Sequence, residues 1–510
     1  MTSGSSNFNV ILGDNKFERL LTASTLLSQA IKERPTISGI EQTHDVHLNR
    51  VYKPFVKIWS EYMRFPSLGG ASTINSGSSV WRFELNPKGQ FISDMVLEIN
   101  LPLLGNGGEY DANVAPYYRY CAYPGVRLIQ KASIYSKNVA FASYTRDDVI
   151  LSNKFFLDGE HRIGFERCNG QEQIKESQYF MGKHTGVFLY KDGLQTPKTQ
   201  QTADVMFVPL HFDFCKDIRN ALISQTILNR DDRNYVEIIT SPITEMVQML
   251  KEADKNPYGE DLEVIHNSYL PNNLPITMSL LVNNLFINQE INDILARDLT
   301  FSLFRTKVTQ YHSITQDDSI LLNSIKLPVE YLLVGARSRN YNMRHNMDQW
   351  NLMGYPEILL DPEKIFTTYV RWMPLISELE IFPANCRKTS QLGKILESIG
   401  VDILGIPIFP QTATLFYNSY LPTRFRNATD LRTPDDGNSY LIPFCQYPGN
   451  ADPSGYFNMS AAREVRLTYK LTPSIEERIR SLNVRFEIVI SATVLNFIIQ
   501  KNGFYNLKYG

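Results

Sequence analysis

Apolar and polar residues alternate one by one in several segments of this chain, and that pattern constrains the fold more than any other feature. In Asp94–Leu101 the apolar positions are Met95, Leu97, Ile99 and Leu101. Because successive side chains of a β-strand point to opposite faces, this period of two predicts a half-buried strand. The same pattern recurs in Val465–Leu471 and Val484–Ile490, and less regularly in Arg127–Tyr135, Gly186–Tyr190, Val205–Phe214, Met278–Ile287 and Pro328–Gly335.

The number of such strands indicates an all-β fold of paired sheets. A sheet with one apolar face must bury that face against a second layer, which favours antiparallel sandwiches. The 28 Gly and 26 Pro fit short strands joined by turns, and 510 residues suffice for two sandwiches of about 200 residues each. We therefore expect an N-terminal arm with an amphipathic helix (1–60), a first sandwich (61–290), a helical junction (291–300) and a second sandwich (301–510).

Few segments have the period of an α-helix. Residues 14–31 predict an amphipathic helix with Asp14 as the N-cap. Residues 389–399 place their large apolar side chains on one helical face, and Gly400 follows where a left-handed C-cap belongs. Shorter helices are predicted from Pro242 to about Leu250 and over Asn288–Arg297.

The charge balance excludes a dedicated nucleic-acid-binding protein. The chain has 51 Lys and Arg against 53 Asp and Glu, so its net charge is -2, whereas a nucleic-acid binder carries a strongly basic domain. Such a weak net charge leaves little long-range repulsion between copies and favours association. The five Cys form no C-x-x-C pair, the first residues do not resemble a signal peptide, and no apolar stretch is long enough to span a bilayer, so we expect folding in a reducing, cytosol-like compartment.

No set of residues has the pattern of an active site. His44 and His47 lack further metal ligands at suitable spacing. His211 and Asp213 lie on a predicted strand with no nucleophile nearby, which favours ordinary strand residues. Gly105–Gly108 lacks the Lys and the following helix of a phosphate-binding loop. We expect no catalytic residue, no metal and no cofactor, and therefore a protein that is not an enzyme.

Two kinds of charged cluster receive a structural interpretation. The Asp pairs are expected to be solvated loop charges, and they are Asp147–Asp148, Asp231–Asp232 and Asp435–Asp436. The most basic and aromatic local cluster comprises Arg337, Arg339, Tyr341, Arg344 and His345. A phosphate or nucleic-acid contact is one interpretation of that cluster, and an inter-subunit or loop role is the favoured one.

A series of short motifs resembles one protein family along the whole chain. The first set comprises Asp94–Pro102, Tyr123–Ile129, Ala132–Ile134, Phe207–Phe214, Ala221–Leu222 and Asn283–Ile287. It resembles strands of the first jelly roll in the major capsid proteins of nucleocytoplasmic large DNA viruses. Within that family the likeness is to the asfarvirus-like members, the group of African swine fever virus, and it is carried by Thr43–His47, Lys53–Phe55, Tyr120–Gly125, Leu327–Tyr331, Arg432–Asp435 and Ser491–Gly503. Shorter surface loops are expected here than in those members, especially between residues 102 and 205.

A further motif of the family lies late in the second predicted sandwich, and its residues are Pro453, Ser454, Gly455, Asn458, Ser460 and Arg463. Pro453 is expected to end a loop, because proline cannot donate to a strand ladder. Gly455 is expected to adopt a backbone conformation that a Cβ disfavours. Asn458 and Ser460 can hydrogen-bond the nearby backbone, and Arg463 can pair with an acid at a domain or subunit interface. An ordinary well-packed turn stays open as the alternative to an assembly role.

The resemblance implies a double jelly roll, in which two eight-stranded antiparallel sandwiches stand side by side. It further implies a homotrimer of pseudo-hexagonal outline that tiles an icosahedral capsid, assembled in the host cytoplasm. The expected partners are copies of the chain and minor capsid and penton proteins, and proteins of an inner viral membrane are left open. Two alternatives also stay open, namely a transient scaffold lattice of an immature virion and a carbohydrate-binding β-sandwich, the latter because the chain has 4 Trp and 27 Tyr.

Overall fold

The computed structural model describes most of the strand-rich part of the chain. The described residues are 58–68, 73–75, 77–86, 88–102, 117–120, 123–136, 139–157, 159–170, 180–181, 188–189, 205–223, 234–252, 262–264, 273–288, 301–314, 316, 318–338, 355–356, 392–426, 430–434, 436–462, 464–482, 485–501 and 504–507. The helix predicted over 14–31, the junction over 291–300 and nearly all of the helix predicted over Asn288–Arg297 lie outside them. Among the helices that are described, none has the length and hydropathy of a membrane span.

The first half of the chain consists of short strands with a few helices between them. The strands are β1 (Ile58–Pro66), β2 (Thr73–Asn75), β3 (Val80–Glu84), β4 (Phe91–Asn100), β5 (Tyr117–Tyr120), β6 (Ile129–Ser136), β7 (Val139–Thr145), β8 (Phe180–Met181), β9 (Phe188–Leu189), β10 (Val205–Pro209), β11 (Leu222–Ile223), β12 (Tyr235–Thr240), β13 (Val247–Glu252), β14 (Leu262–Val264), β15 (Asn273–Pro275) and β16 (Thr277–Ile287). The helices are α1 (Pro124–Leu128), α2 (Arg146–Phe156), α3 (Gly159–Cys168) and α4 (Ile243–Met246), with 3₁₀ turns at Asp213–Cys215 and Ile218–Asn220.

The second half of the chain likewise consists of strands with a few short helices between them. Its strands are β17 (Phe301–Ile314), β18 (Asp318–Leu321), β19 (Pro328–Ser338), β20 (Tyr355–Pro356), β21 (Leu392–Gly393), β22 (Leu396–Ile403), β23 (Ile406–Ala413), β24 (Ser439–Pro443), β25 (Phe457–Asn458), β26 (Val465–Leu471), β27 (Phe486–Lys501) and β28 (Phe504–Leu507). A π-helical turn at Phe416–Tyr420 leads into α5 (Leu421–Phe425), and α6 (Pro473–Leu482) connects β26 to β27.

In each half eight strands form the two facing sheets of a sandwich, and β11 adds to the A sheet of the first half while β25 and β28 add to that of the second. In the first half, sheet 1A has the order β1-β16-β4-β10 and sheet 1B has the order β3-β12-β6-β7. In the second half, sheet 2A has the order β17-β27-β19-β24 and sheet 2B has the order β18-β26-β22-β23. If the eight strands are counted along the chain, both A sheets read first, eighth, third, sixth, and both B sheets read second, seventh, fourth, fifth. All these pairs are antiparallel, and this order is that of a jelly roll.

The predicted alternation of buried and more exposed side chains is confirmed in β4 and β26. In β4, Met95, Leu97 and Ile99 are buried in the first core, and the residues between them are only half-buried. In β26 the odd-numbered positions are buried in the same way. The strand β1 begins at Ile58, inside the segment assigned to the N-terminal arm.

The central strands of sheet 2A depart from the half-buried pattern. In β27, Ile488 and Ile490 face the core of the second jelly roll, yet Val489 is also fully buried. Val489 belongs to the core cluster of the first jelly roll, together with Leu333 and Leu441 of sheet 2A. Sheet 2A is therefore covered on both faces, on one by sheet 2B and on the other by the first jelly roll.

The helix predicted over 389–399 is wrong, because the region forms β21 and β22. A register shift in the pairing of β22 with β26 between Leu396 and Ser398 interrupts the alternation. As a result Leu396 and Ile399 are both buried although they are three residues apart, a spacing that resembles a helical face. Gly400 lies inside the strand, where a Cβ would come within 2.7 Å of the Gln411 backbone of β23.

Other boundaries differ from the expected ones by a few residues. The helix predicted to run from Pro242 to about Leu250 ends at Met246, and β13 follows it directly. The strand predicted over Arg127–Tyr135 begins at Ile129, because the preceding residues form the proline-initiated helix α1. Periodicity over so few residues does not separate a helical turn from the start of a strand.

Leu97 and Val96, which are adjacent on β4, provide a test of the sandwich. Leu97 is fully buried between sheets 1A and 1B, so we expect Leu97→Ala to lower the free energy of unfolding by about 2–5 kcal/mol. Val96 points away from that core, so Val96→Ala should cost roughly 1 kcal/mol or less. Urea denaturation of both variants measures the difference, and equal losses would contradict the assigned register.

Candidate functional site: the junction between the two jelly rolls

Helix α2 carries two acidic residues from the first jelly roll to the surface of sheet 2A. Thr145 ends β7 and caps the helix, and its backbone N–H donates a hydrogen bond of 2.8 Å to the Asp148 carboxylate. This reciprocal cap fixes the first helical turn. The acidic residues at the helix N-terminus also interact favourably with the helix dipole. Asp147 and Asp148 are thereby held at the boundary between the two jelly rolls.

Arg337 of β19 is the centre of the charge cluster that joins the two halves. Its Nη1 and Nη2 donate to Oδ1 and Oδ2 of Asp147 at 2.6 and 3.0 Å. Its Nε donates to Oε1 of Glu487 on β27 at 2.7 Å. The hydroxyl of Tyr311 on β17 donates to Oδ2 of Asp147 at 2.8 Å. The paired geometry of a guanidinium and a carboxylate fixes orientation as well as distance.

Burial and charge act in opposite directions on Asp147. Burial alone would raise the pKa of the Asp147 carboxyl. The charge and the hydrogen bonds of Arg337, together with the charge of Arg146, lower this pKa by more than burial raises it, so it lies below its usual range. Tyr311 has a raised pKa because its hydroxyl is desolvated and faces Asp147, although half of the side chain is exposed. The cluster therefore holds an ionised carboxylate and a neutral phenol at the junction.

The strand β7 lies beside β17 and contacts it through side chains. The Thr306 hydroxyl donates to the Ser143 carbonyl at 3.4 Å, and the Thr309 hydroxyl donates to both Asp148 oxygens at 2.9 and 2.7 Å. Phe141 and Phe304 meet edge to face with ring centroids 6.2 Å apart. The contact between the jelly rolls is thus a packed interface of mixed polar and apolar groups.

A second buried ion pair lies on β17. Arg305 donates from Nε and Nη2 to the two oxygens of Glu330 at 2.5 and 3.1 Å. Its Nη1 donates to the Ala451 carbonyl at 2.9 Å and reaches Asp213 of the first jelly roll at 3.5 Å. Although burial opposes its charge, Asp213 and Glu330 raise the pKa of Arg305, so the guanidinium keeps its charge between the two halves.

The C-terminal end of α2 contacts the second jelly roll independently. Lys154 forms an ion pair with Asp436, which is almost fully buried ahead of β24. The carbonyl of Phe155 accepts a hydrogen bond of 2.8 Å from the Arg432 backbone N–H. Both ends of α2 are therefore attached to the second half of the chain.

Several expectations from the sequence are corrected here. Asp147, Asp148 and Asp436 are buried partners in ion pairs and hydrogen bonds, whereas solvated loop charges were expected. Arg337 is buried within β19 and acts inside one chain. The remaining residues of its proposed cluster (Arg339, Tyr341, Arg344 and His345), together with Asp435, Asp231–Asp232, His44, His47 and Gly105–Gly108, lie outside the described residues.

His211 was expected on a strand, but β10 ends at Pro209 and His211 lies in the loop that follows it. It packs edge to face against Tyr144 and Phe165. Burial lowers the pKa of its imidazole to about 3, so the ring is uncharged at neutral pH. Within the described part of the chain, no group of three or more His, Cys, Asp and Glu side chains is arranged to hold a metal ion.

The motif at 453–460 forms a compact turn against sheet 2A. The Ser454 hydroxyl accepts a hydrogen bond of 2.7 Å from the Tyr447 N–H. Asn458 Oδ1 accepts from the N–H and the hydroxyl of Ser460 at 3.1 and 2.6 Å. Gly455 has φ of 133°, a region that favours glycine, and Pro453 is half-buried. Arg463 lies outside the described residues, and an assembly role for this motif stays a prediction.

The junction was missed in the sequence, although one signal for it was present. Thr145-x-x-Asp148 followed by Val149, Ile150 and Leu151 is a capping box ahead of an apolar run, which marks the start of a helix. A helix that begins at this point would have argued against the interpretation of Asp147 and Asp148 as solvated loop charges. The pairing of Asp147 with Arg337 carries no comparable signal, since the two residues are 190 positions apart.

Comparison with known proteins gives full-length relatives. No family model matches the sequence. The chain is 22% identical to the major capsid protein of African swine fever virus from a Kenyan pig isolate, over 661 aligned positions that cover 100% of both chains. Hexon protein p72 from a Malawian tick isolate of the same virus is 23% identical with the same coverage. Because these alignments are longer than the 510 residues of this chain, the relatives contain residues that it lacks, but their expected location between 102 and 205 stays a prediction.

Two solved structures share the architecture. The major capsid protein of Faustovirus superposes with a TM-score of 0.65 at 20% identity, covering 95% of this chain and 98% of that one. The VP54 protein of PBCV-1 superposes with a TM-score of 0.60 at 15% identity, covering 91% and 99%. The predicted double jelly-roll fold is confirmed.

Replacement of Arg337 tests the energetic weight of the junction. Arg337→Gln leaves the carboxylates of Asp147 and Glu487 buried without their guanidinium partner, so we expect a loss of about 3–5 kcal/mol in the free energy of unfolding. Arg64→Gln breaks an exposed pair with Glu98 and should cost about 1 kcal/mol or less. Denaturant unfolding compares the two variants, and similar losses would count against a structural role of the buried pair.

Gly455 can be tested against a glycine without conformational strain. Since φ at Gly455 is 133°, Gly455→Val should cost about 1–3 kcal/mol, although an added Cβ would meet no atom closer than 3.6 Å. Gly437→Val is the control, because a Cβ there has open space and the backbone is outside the positive-φ region. Thermal melting that is lowered equally in both variants would contradict this assignment.

Proposed function

We infer, from the full-length likeness to capsid proteins of African swine fever virus and from the shared fold, that the chain is a major capsid protein of a large double-stranded DNA virus and that three copies form a capsomer of pseudo-hexagonal outline. The chain is a structural virion protein that builds an icosahedral capsid together with copies of itself. The two similar jelly rolls support the proposed trimer, because each chain would contribute two of the six corners of a hexagonal unit.

The observation that carries this proposal is the identical strand order of the two jelly rolls and their attachment through buried ion pairs. Two similar blocks on a flexible linker would sample many relative orientations and could not define a hexagonal edge. The Arg337 and Arg305 clusters and both ends of α2 fix the two blocks as neighbours. Capsomer contacts within a trimer should be extensive and apolar, whereas contacts between trimers should be smaller and more polar.

The finer assignments belong to the same proposal. We expect an arm over 1–60 whose last residues already belong to β1, jelly rolls over 61–290 and 301–510, and a helical junction over 291–300. Minor capsid and penton proteins are the expected further partners in the virion, and assembly is expected in the host cytoplasm. The motif at 453–460 is proposed to have a role in assembly, with Arg463 pairing with an acid at a domain or subunit interface.

Light scattering of the purified protein tests the trimer directly. At micromolar concentration we expect a single species of three times the chain mass of 58.5 kDa. A stable monomer would contradict the proposal. Analysis of purified mature virions then separates a permanent capsid from a transient scaffold, because a scaffold protein would be absent from them.

A further inference from the structure

The two A sheets occupy the same place in their jelly rolls, yet their outer faces differ in what covers them. Leu441 on β24 is fully buried under the first jelly roll. Phe207, on the matching strand β10, points outward from sheet 1A and is 42% exposed. The first strands differ less, since β17 is mostly half-buried with Tyr311 50% exposed, whereas Trp59 and Tyr62 on β1 are 64% and 54% exposed. Apart from the turns at Asp213–Cys215 and Ile218–Asn220, which contact β4, the described residues leave the outer face of sheet 1A without the cover that sheet 2A has.

The elements of the first jelly roll that cover sheet 2A have counterparts in the second jelly roll. Sheet 2A is covered by β7, the fifth strand of the first jelly roll, and by the helix α2 that follows it. The fifth strand of the second jelly roll is β23, and the π-helical turn and α5 follow it. Ile406 on β23 is 68% exposed and Leu415 just after it is 66% exposed. By contrast Phe141 on β7 is buried, because β17 packs against it.

We propose that residues 406–426, here called the docking segment, cover the outer face of sheet 1A in a second copy of this chain. The contact repeats between copies the one that β7 and α2 make with sheet 2A inside one chain. It places β23 beside β1 of the next copy and the helical residues across β4 and β16. This inference rests on the proposed trimer, in which three such contacts close the ring.

The chemistry of β23 favours docking through side chains. Pro407 and Pro410 lack the N–H needed for a strand ladder, so β23 cannot extend a neighbouring sheet along its length. The internal contact between β7 and β17 is also made by side chains, as the Phe141–Phe304 pair illustrates. Exposed apolar side chains on an edge strand are then available for burial in an interface.

Charge on the two surfaces is complementary. The docking segment carries Arg424 and Arg426, both exposed, and contains no acidic residue. The outer face of sheet 1A carries Asp94 and Glu98 on β4, of which Glu98 pairs with Arg64 of β1 and Asp94 accepts a hydrogen bond from Tyr62. Within the chain the signs are reversed, because the helix supplies Asp147 and the sheet supplies Arg337. Opposite charges across such a contact select the partner and its orientation.

The contact joins two different surfaces, so it can form a ring. Each copy offers one docking segment and one open sheet 1A, and a head-to-tail interface of this kind closes when the rotation between copies fits. In a ring of six jelly rolls, three junctions lie within chains and three lie between chains. All six then use the same pair of elements.

The test places a charge on either side of the proposed contact. The docking variant is Ile406→Asp with Leu415→Asp, and the acceptor variant is Tyr62→Lys with Phe207→Lys. All four side chains are exposed in a single chain, so the fold should be retained, which circular dichroism verifies. The matched control is Leu321→Asp, on β18 at the opposite edge of sheet 2B, where Leu321 is 41% exposed.

Light scattering at equal concentration distinguishes the outcomes. We expect trimers for the wild type and the control, and loss of the trimer in favour of folded monomers for both variants. A trimeric wild type whose docking or acceptor variant stays trimeric would overturn this inference and leave the proposed function intact, as expected if another segment of the same chain covers sheet 1A. A monomeric wild type would instead overturn the proposed trimer itself.

Discussion

Sheet 2A is buried on both faces, and this constraint determines how the two halves of the chain are arranged. One face packs on sheet 2B in the ordinary manner of a sandwich. The other face carries Leu333, Leu441 and Val489, which join the core of the first jelly roll. An apolar sheet face cannot be left in water without a large loss of free energy, so the jelly rolls have to lie side by side. Every later inference about assembly depends on that arrangement.

The ion pairs and hydrogen bonds of the junction fix the orientation of one jelly roll relative to the other. Apolar burial is non-directional, so Val489 and its neighbours would tolerate sliding of one sandwich over the other. The bidentate pairs of Arg337 with Asp147 and of Arg305 with Glu330 tolerate much less, because both atoms of each carboxylate have to stay in the guanidinium plane. Buried charges are expensive to desolvate, and their retention is consistent with a need for one defined angle between the jelly rolls.

The sequence predicted the fold well in strands whose side chains alternate between the two faces without a register shift. β4 and β26 follow strict alternation, and both were placed within a few residues. In β22 the register shift after Leu396 produced a spacing that resembled a helix, so the prediction failed there for a local reason. The junction could not be read, because Asp147 and Arg337 are far apart in sequence and neither residue is unusual alone. Asp147 and Asp148 looked like loop charges because a pair of acids is usually solvated, and only the facing sheet changes that.

The junction inside the chain is proposed to be one of six equivalent contacts in a closed ring. Cryo-electron microscopy of the purified, unmodified protein tests this most directly, since class averages reveal the number and arrangement of jelly rolls without prior assumptions. We predict a three-fold particle with six lobes of similar size, spaced evenly around a central axis. A particle with two lobes, or a two-fold dimer with four, would contradict the account.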